Sequence, residues 1–266
     1  PKKTGGFRTI DAPNDMLKLY LSIWKEWFEQ FLPHNATHAY VKGRSTVTAL
    51  QAHQENESKW FMKIDLHNFF PSHNLPYVMQ QLSKIYPFAY LFEDEEYTKI
   101  FKENLVYGFK DGKLPQGTPL SPGLTNICMV PIDYKIQKML WDKKSNFCYT
   151  RYADDMIISS PYKFDMNLIQ EEIIKILDEE NTPFELNKEK TRFGSSSGRN
   201  WNLGLMLNKD NNITEEEKNN KDYKKIVDLD SELMLSTFKK CQTTEETVLV
   251  KSWRLRQLLF SYHKFV

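Results

Sequence analysis

An α/β sheet platform followed by a small helical lobe is the fold class predicted by three features of this 266-residue sequence. Strand-like runs of aromatic and β-branched residues alternate with amphipathic helical stretches from residue 14 to about 207, a pattern that builds a sheet layered with helices. Two such runs flank a tight Ala153-Asp154-Asp155 and read as a β-hairpin. Beyond Asn208 the chain turns polar and charged, and helical periodicity returns over 222–239 and 244–265.

Composition narrows the class. Hydrophobic residues make up 40% and aromatic residues 14%, enough for a sizeable core and too much for a disordered chain. No apolar run approaches the roughly 18 residues that span a bilayer, and the basic opening Pro1-Lys2-Lys3-Thr4-Gly5-Gly6 leads into no signal-like segment. A soluble, cytoplasmic protein with no membrane partner is expected. The chain opens on Pro1, as a trimmed or excised piece would. Cys128, Cys148 and Cys241 are odd in number and lack metal-ligand spacing, which favours buried thiols in a reducing compartment. With a net charge of +1, binding to nucleic acid would rest on local basic patches.

Each element has its own signal. Arg8-Thr9-Ile10 reads as a short strand in a positive cluster with Lys2 and Lys3. Asn14 is a good N-cap for a helix carrying Leu17, Tyr20, Leu21, Trp24, Phe28 and Phe31 at helical spacing up to Pro33. His34 and His38 are four apart but have no third ligand, so no zinc site is expected. Tyr40-Val41-Lys42-Gly43-Arg44-Ser45 forms a basic loop in which Ser45 caps a helix reaching about Asn56 and the helix start suits a phosphate. The run from Trp60 to Phe70 reads as a strand with Asp65 near its end, where an unpaired carboxylate would be costly to bury. Helices are expected over about 74–86, from Asn74, and 94–107, from Asp94-Glu95-Glu96.

Leu114-Pro115-Gln116-Gly117-Thr118-Pro119-Leu120-Ser121-Pro122 is a loop punctuated by Pro and Gly, with Ser121 expected to cap a long helix that Pro131 interrupts. Asp165 starts an amphipathic helix through Ile169, Ile173, Ile174 and Leu177. Further strands are expected at 184–186, 191–193 and 201–207.

The hairpin carries the chemistry. Two like charges 4 Å apart cost roughly 4 kcal/mol at an effective dielectric near 20, and a divalent cation is the natural relief. Taken alone, an Asp-Asp pair is most simply a solvated turn. Asp65 and the Pro-Gln-Gly loop change that balance.

In their order along the chain, Arg8, the 40–45 loop, Asp65 with Phe69-Phe70, Leu114-Pro115-Gln116-Gly117, Tyr152-Ala153-Asp154-Asp155, Leu186 to Thr191 and Asn202-Leu203-Gly204 resemble the reverse transcriptases. The likeness is greater to the bacterial enzymes of retrons, group II introns and abortive-infection or other defence systems. It implies an α+β right-hand polymerase: fingers over 1–60, palm over 61–74, fingers and palm helices over 75–113, palm over 114–207, and a partial helical thumb over 208–266. The palm sheet would be antiparallel and backed by helices.

The activity implied is RNA-directed DNA synthesis from a 3′-hydroxyl and dNTPs, through two Mg²⁺ ions, with Mn²⁺ as a substitute. Asp65, Asp154 and Asp155 would ligate metal with the Leu66 carbonyl, the share of Asp155 being smaller because adjacent strand residues point apart. By the same resemblance, Arg8, Lys42 and Arg44 would grip the triphosphate, Gln116 and Tyr152 would contact the nucleotide, and Phe70 would stand against C2′ of the sugar. Lys190 would protonate pyrophosphate, with Lys188 close by, and Leu203-Gly204 would form the primer grip. The implied partners are an RNA template, a DNA or RNA primer, dNTPs and a cognate structured non-coding RNA. Two alternatives remain at this level: a protein-primed or untemplated polymerase of an abortive-infection system, and a non-catalytic module that binds structured RNA. The acidic stretch Thr214-Glu215-Glu216-Glu217-Lys218 departs from what a nucleic-acid-binding thumb would carry.

Overall fold

A computed structural model describes residues 10–143, 145–196, 201, 205–208 and 210–215. In chain order the elements are α1 (Asp15–Phe28), α2 (Thr46–Glu55), β1 (Trp60–Asp65), α3 (Phe69–Ser72), α4 (Leu75–Leu82), α5 (Glu95–Leu105), α6 (Leu120–Cys128), α7 (Val130–Asp142), β2 (Cys148–Tyr152), β3 (Asp155–Ser160), α8 (Met166–Glu179), β4 (Arg192–Ser195), β5 (Leu205–Leu207) and β6 (Ile213–Glu215).

Four strands form a sheet in the order β2-β3-β1-β4, and every pairing is antiparallel. The α/β platform inferred from alternation is therefore corrected to α+β. A two-residue turn joins β2 to β3 and leaves no room for a crossover helix between them, so the hairpin fixes the antiparallel sense. The other face of the hairpin's reach is β1, whose six residues pair with β3 from Trp60 opposite Ser160 to Asp65 opposite Asp155.

Side chains alternate across this sheet, so β1 splits cleanly between two cores. Met62 and Ile64 join Met156, Ile158 and Tyr149 against Ile132, Ile136 and Leu140 of α7 and Ile169, Ile173 and Leu177 of α8. Phe61 and Ile157 face the opposite way and pack with Leu50 of α2, Trp201, Leu205 and Leu207. A third core lies among the helices, where Trp24 and Phe28 of α1 meet Val78, Phe101, Leu105, Leu120 and Leu124.

Local capping chemistry sets several boundaries as expected. The side chains of Asn14, Asn74, Asp94 and Asp165 each accept a backbone N–H at a helix start, and Ser45 forms a capping box with Thr48. α1 ends at Phe28 and α4 at Leu82, short of the predicted limits. Ser121 is not a cap: α6 begins at Leu120, and the Ser121 hydroxyl donates to the Pro115 carbonyl at 2.6 Å while meeting Thr118 Oγ1 at 2.7 Å. The hydroxyl closes the preceding loop on itself, which outcompetes capping. Pro131 does divide the helix, in the first turn of α7. Residues 184–186 make only an isolated bridge, Leu66 to Leu186. The two C-terminal helices expected over 222–239 and 244–265 lie outside the described residues.

Candidate active site

Register brings the acids together. Asp65 ends β1 and lies directly opposite Asp155, the first residue of β3, so both side chains leave the same face of the sheet. That face is the one opposite α7 and α8. Asp154 stands in the turn itself, and its carbonyl accepts the Leu66 N–H at 3.0 Å. Ala153, the other turn residue, has φ 55. A left-handed alanine costs roughly 1–2 kcal/mol, and here Arg151 Nη1 donates to the Ala153 carbonyl at 3.2 Å.

The three acids differ in their surroundings. Asp65 is 4% exposed and receives both oxygens' bonds from Lys190 Nζ, at 2.9 and 3.0 Å. Asp155 takes an ion pair from Lys63 Nζ at 2.5 Å, within a site where both side chains are 13% exposed. Asp154 makes no ion pair among the described residues. Burial, then the charges of Asp155 and Asp65, push its carboxyl up to about 6, against the pull of Lys190. Its charge is the least compensated of the three.

Segment 185–190 reaches the site through the backbone. His67 N–H donates to the Glu185 carbonyl and Asn187 N–H to the Asp65 carbonyl, both at 2.8 Å, which places Lys190 beside Asp65. Phe70 of α3, the residue expected to stand against the sugar, packs edge-on against Phe69 and Tyr40, with ring centroids 5.5 and 6.3 Å away. Gln116 lies in the loop that Gly117 closes. Gly117 has φ 99, and a Cβ there would sit 2.7 Å from Ile10 Cγ2 and 3.1 Å from the Asp11 carbonyl. Only glycine permits that crossing, which the Asp11 N–H to Gln116 carbonyl bond secures at 3.0 Å.

Arg44, expected to grip a triphosphate, bonds the chain's own backbone. Its Nη1 donates to the carbonyls of His34, Asn35 and Thr37, at 3.0, 3.2 and 2.6 Å. It thereby folds the 34–37 backbone around itself. Lys42 is exposed beside it, after which Gly43 turns the chain at φ 79. Tyr152 is half-buried at the end of β2, opposite Asp155. Arg8, Leu203 and Gly204 lie outside the described residues.

Sequence reading missed the support beneath the hairpin. Arg151 is fully buried and pairs through Nε and Nη2 with both oxygens of Asp133 on α7, at 2.8–3.2 Å. It also reaches Thr37 Oγ1 at 2.9 Å and Asn126 Oδ1 at 3.4 Å. Tyr149 Oη donates to Asp133 at 2.7 Å. Lys63 was missed as well, although its spacing two residues before Asp65 on a strand puts both on one face. His34 and His38 are both buried, and His38 bonds Thr48 at 2.9 Å.

The donor set suits a hard divalent ion, being carboxylate oxygen converging with excess negative charge at Asp154. Among the described residues, no three His, Cys, Asp or Glu side chains form a cage by themselves. Mg²⁺ ordinarily takes one or two carboxylates and completes its shell from substrate phosphates and water, so the residues fit that ion better than a metal needing an all-protein cage.

Asp154 has a measurable consequence for stability. A carboxyl whose folded pKa is raised from 3.8 to about 6 penalises the folded state above the higher value and costs nothing below the lower one. Asp154→Asn should therefore raise the melting temperature of metal-free protein at pH 7.5, by about 2–4 °C per kcal/mol relieved. The gain should shrink as pH falls from about 6 to 4, which thermal scans across that range would show. A gain that persists unchanged at pH 4 would contradict this origin.

The chain matches the family described as reverse transcriptase (RNA-dependent DNA polymerase) over residues 1–230, and it belongs to that family. Among curated relatives it is 34% identical over 210 residues to the retron Ec73 reverse transcriptase of Escherichia coli, covering 74% of this chain and 63% of the relative. It is 30% identical over 232 residues to the retron Mx162 reverse transcriptase of Myxococcus xanthus, covering 78% and 46%. The matched region thus spans about half to two thirds of these relatives. In fold, an apo telomerase from Candida tropicalis truncated from its C-terminal domain superposes with a TM-score of 0.50 at 16% identity, covering 75% of this chain and 44% of that one. The α+β class with an antiparallel palm sheet, expected from the resemblance, is the fold present. No described helix is long and apolar enough to cross a membrane.

Proposed function

We propose that this chain is an RNA-directed DNA polymerase that extends a primer 3′-hydroxyl with dNTPs. The observation that carries the reading is the convergence of Asp65, Asp154 and Asp155 at one end of the β1–β3 ladder in a chain of this family. Phosphoryl transfer makes little covalent demand on a protein and depends on positioning and charge stabilisation, which such a site supplies. Asp65 and Asp154, with the Leu66 carbonyl, would hold two Mg²⁺ or Mn²⁺ ions. Those ions would supply positive charge to the transferring phosphoryl group and acidify the primer hydroxyl.

The remaining residues take roles around that centre. Asp155, countered by Lys63, would contribute charge more than coordination. Lys190, 54% exposed, is free to swing from Asp65 and donate a proton to pyrophosphate. Lys42 would meet the triphosphate, joined by Arg44, whose Nε and Nη2 make no hydrogen bond among the described residues, and by Arg8. Gln116 and Tyr152 would flank the base and sugar, and Leu203-Gly204 would hold the primer end. The sheet with α6 to α8 serves as palm, the helical core around α1, α4 and α5 as fingers and palm helices, and 208–266 as thumb. An RNA template, a DNA or RNA primer and a structured non-coding RNA are the partners, the last supported by similarity to retron enzymes. A bacterial cytoplasm is the setting.

Purified protein given Mg²⁺, dNTPs and a primed RNA should extend the primer. Product attached covalently to the protein, or made without template, would instead favour the protein-primed reading. RNA binding with no incorporation would favour the non-catalytic one. Phe70→Ala should also admit rNTPs, improving their use relative to dNTPs on the order of 100-fold because the wall against a 2′-hydroxyl is gone. Competitive single-nucleotide incorporation measures this.

A further inference from the structure

Tyr40 stands out for its backbone and its neighbour. It has φ 57, a left-handed conformation that a bulky side chain rarely adopts, and the residue is 52% exposed. A strained residue of this kind persists only where the surroundings hold it. Here they do. The preceding Ala39 carbonyl accepts Asn126 Nδ2 at 2.8 Å from α6, and His38 N–H donates to the Arg151 carbonyl at 2.8 Å. Arg151 N–H in turn bonds the Ala36 carbonyl, and Arg44 pins the carbonyls of 34, 35 and 37. The 34–39 segment is thus a strap fastened to the catalytic hairpin, and Tyr40 is the residue it delivers.

What it delivers Tyr40 to is Phe70. The two rings meet at 64°, in an edge-to-face contact, while Phe70 also meets its buried neighbour Phe69 at 78°. Phe70 is only partly buried, so without a second wall its ring could turn about χ1 and χ2. Tyr40 supplies that wall.

We propose that Tyr40 is a positioning residue for sugar discrimination, holding the Phe70 ring where a 2′-hydroxyl would strike it. This rests on the polymerase reading above. Because Tyr40 is attached to the strap and the strap to the hairpin, the gate is referenced to the same backbone that carries Asp154. Discrimination therefore depends on a contact between residues 30 positions apart in sequence and on no direct contact of Tyr40 with the reaction.

The test compares rNTP and dNTP use, as the ratio of kcat/KM values, in Tyr40→Ala, Tyr40→Gly, Tyr40→Phe and Phe70→Ala. Tyr40→Gly accepts the left-handed backbone without steric cost, so it separates loss of the ring from loss of fold. Both Tyr40→Ala and Tyr40→Gly should shift the ratio toward rNTPs by about tenfold, a smaller change than Phe70→Ala gives. Tyr40→Phe should restore the wild-type ratio, since the ring edge makes the contact. In a Phe70→Ala background, adding Tyr40→Gly should change the ratio no further. A wild-type ratio in Tyr40→Gly, or an additive effect on top of Phe70→Ala, would overturn the proposal. An unchanged ratio in Phe70→Ala would overturn the gate and Tyr40's role together. Absence of dNTP incorporation by wild-type protein marks the different failure, that of the polymerase reading.

Discussion

Primer extension by Asp154→Asn should fall on the order of 10³-fold or more, although the variant folds and, without metal, melts higher than the native protein. The two expectations have one cause. Asp65 faces Lys190 and Asp155 faces Lys63, whereas Asp154 has no ion pair among the described residues and is driven toward protonation by its neighbours. An acid left in this state destabilises the empty site and strengthens its hold on a cation, the usual opposition between stability and activity at a catalytic centre. Asparagine keeps the shape and removes the charge. Rapid-quench measurement of single-nucleotide addition gives the rate, and titration with Mg²⁺ followed by thermal shift gives the metal response independently. Mg²⁺ should raise the melting temperature of the native protein and do so less for the variant. Extension within tenfold of native would remove Asp154 from the metal set. Asp155→Asn should lose less, because Lys63 already counters that charge.

Arg151→Met should be the most destabilising single change in the palm, by about 3–5 kcal/mol. Arg151 and Asp133 are both fully buried, and removing the guanidinium strands a carboxylate in the core between α7 and the sheet. It also leaves Thr37, Asn126 and the Ala153 carbonyl without their donor. A partner change tests the origin of the loss. Arg151→Met combined with Asp133→Leu should be less destabilised than Arg151→Met alone, since no buried charge remains, though Tyr149 Oη loses its acceptor. Urea unfolding midpoints report all three. A loss below about 1 kcal/mol for Arg151→Met would mean that the pair contributes no more than a surface ion pair.

Elements with local signals were legible in the chain. Asn14, Ser45, Asn74, Asp94 and Asp165 announce helix starts because each cap is a contact between residues two or three apart. The acids were legible because their order and neighbours are specific, even though each alone is ordinary. The antiparallel sense was carried by the hairpin, whereas counting alternating helices and strands pointed toward the wrong class. Ser121 misled because Pro115 lies within reach of its hydroxyl only once the loop has closed. The pairing of Lys63 with Asp155 depends on strand register between residues 92 positions apart, which composition does not encode. Arg151 is harder still: alternation puts it on the face of Tyr149, where its residue type argues against burial, and only the position of Asp133 across the core explains it.

The strap beside β2 also bears on solubility. β2 ends the sheet, so its outward N–H and C=O groups would offer a template to any extended segment of another molecule. Residues 36–38 take up that role within the chain, with Thr37 bridged in parallel to Arg151. Changes that free the strap would therefore uncover a sticky sheet margin as well as loosen the Asp154-Asp155 hairpin, and loss of activity in such variants should be accompanied by self-association.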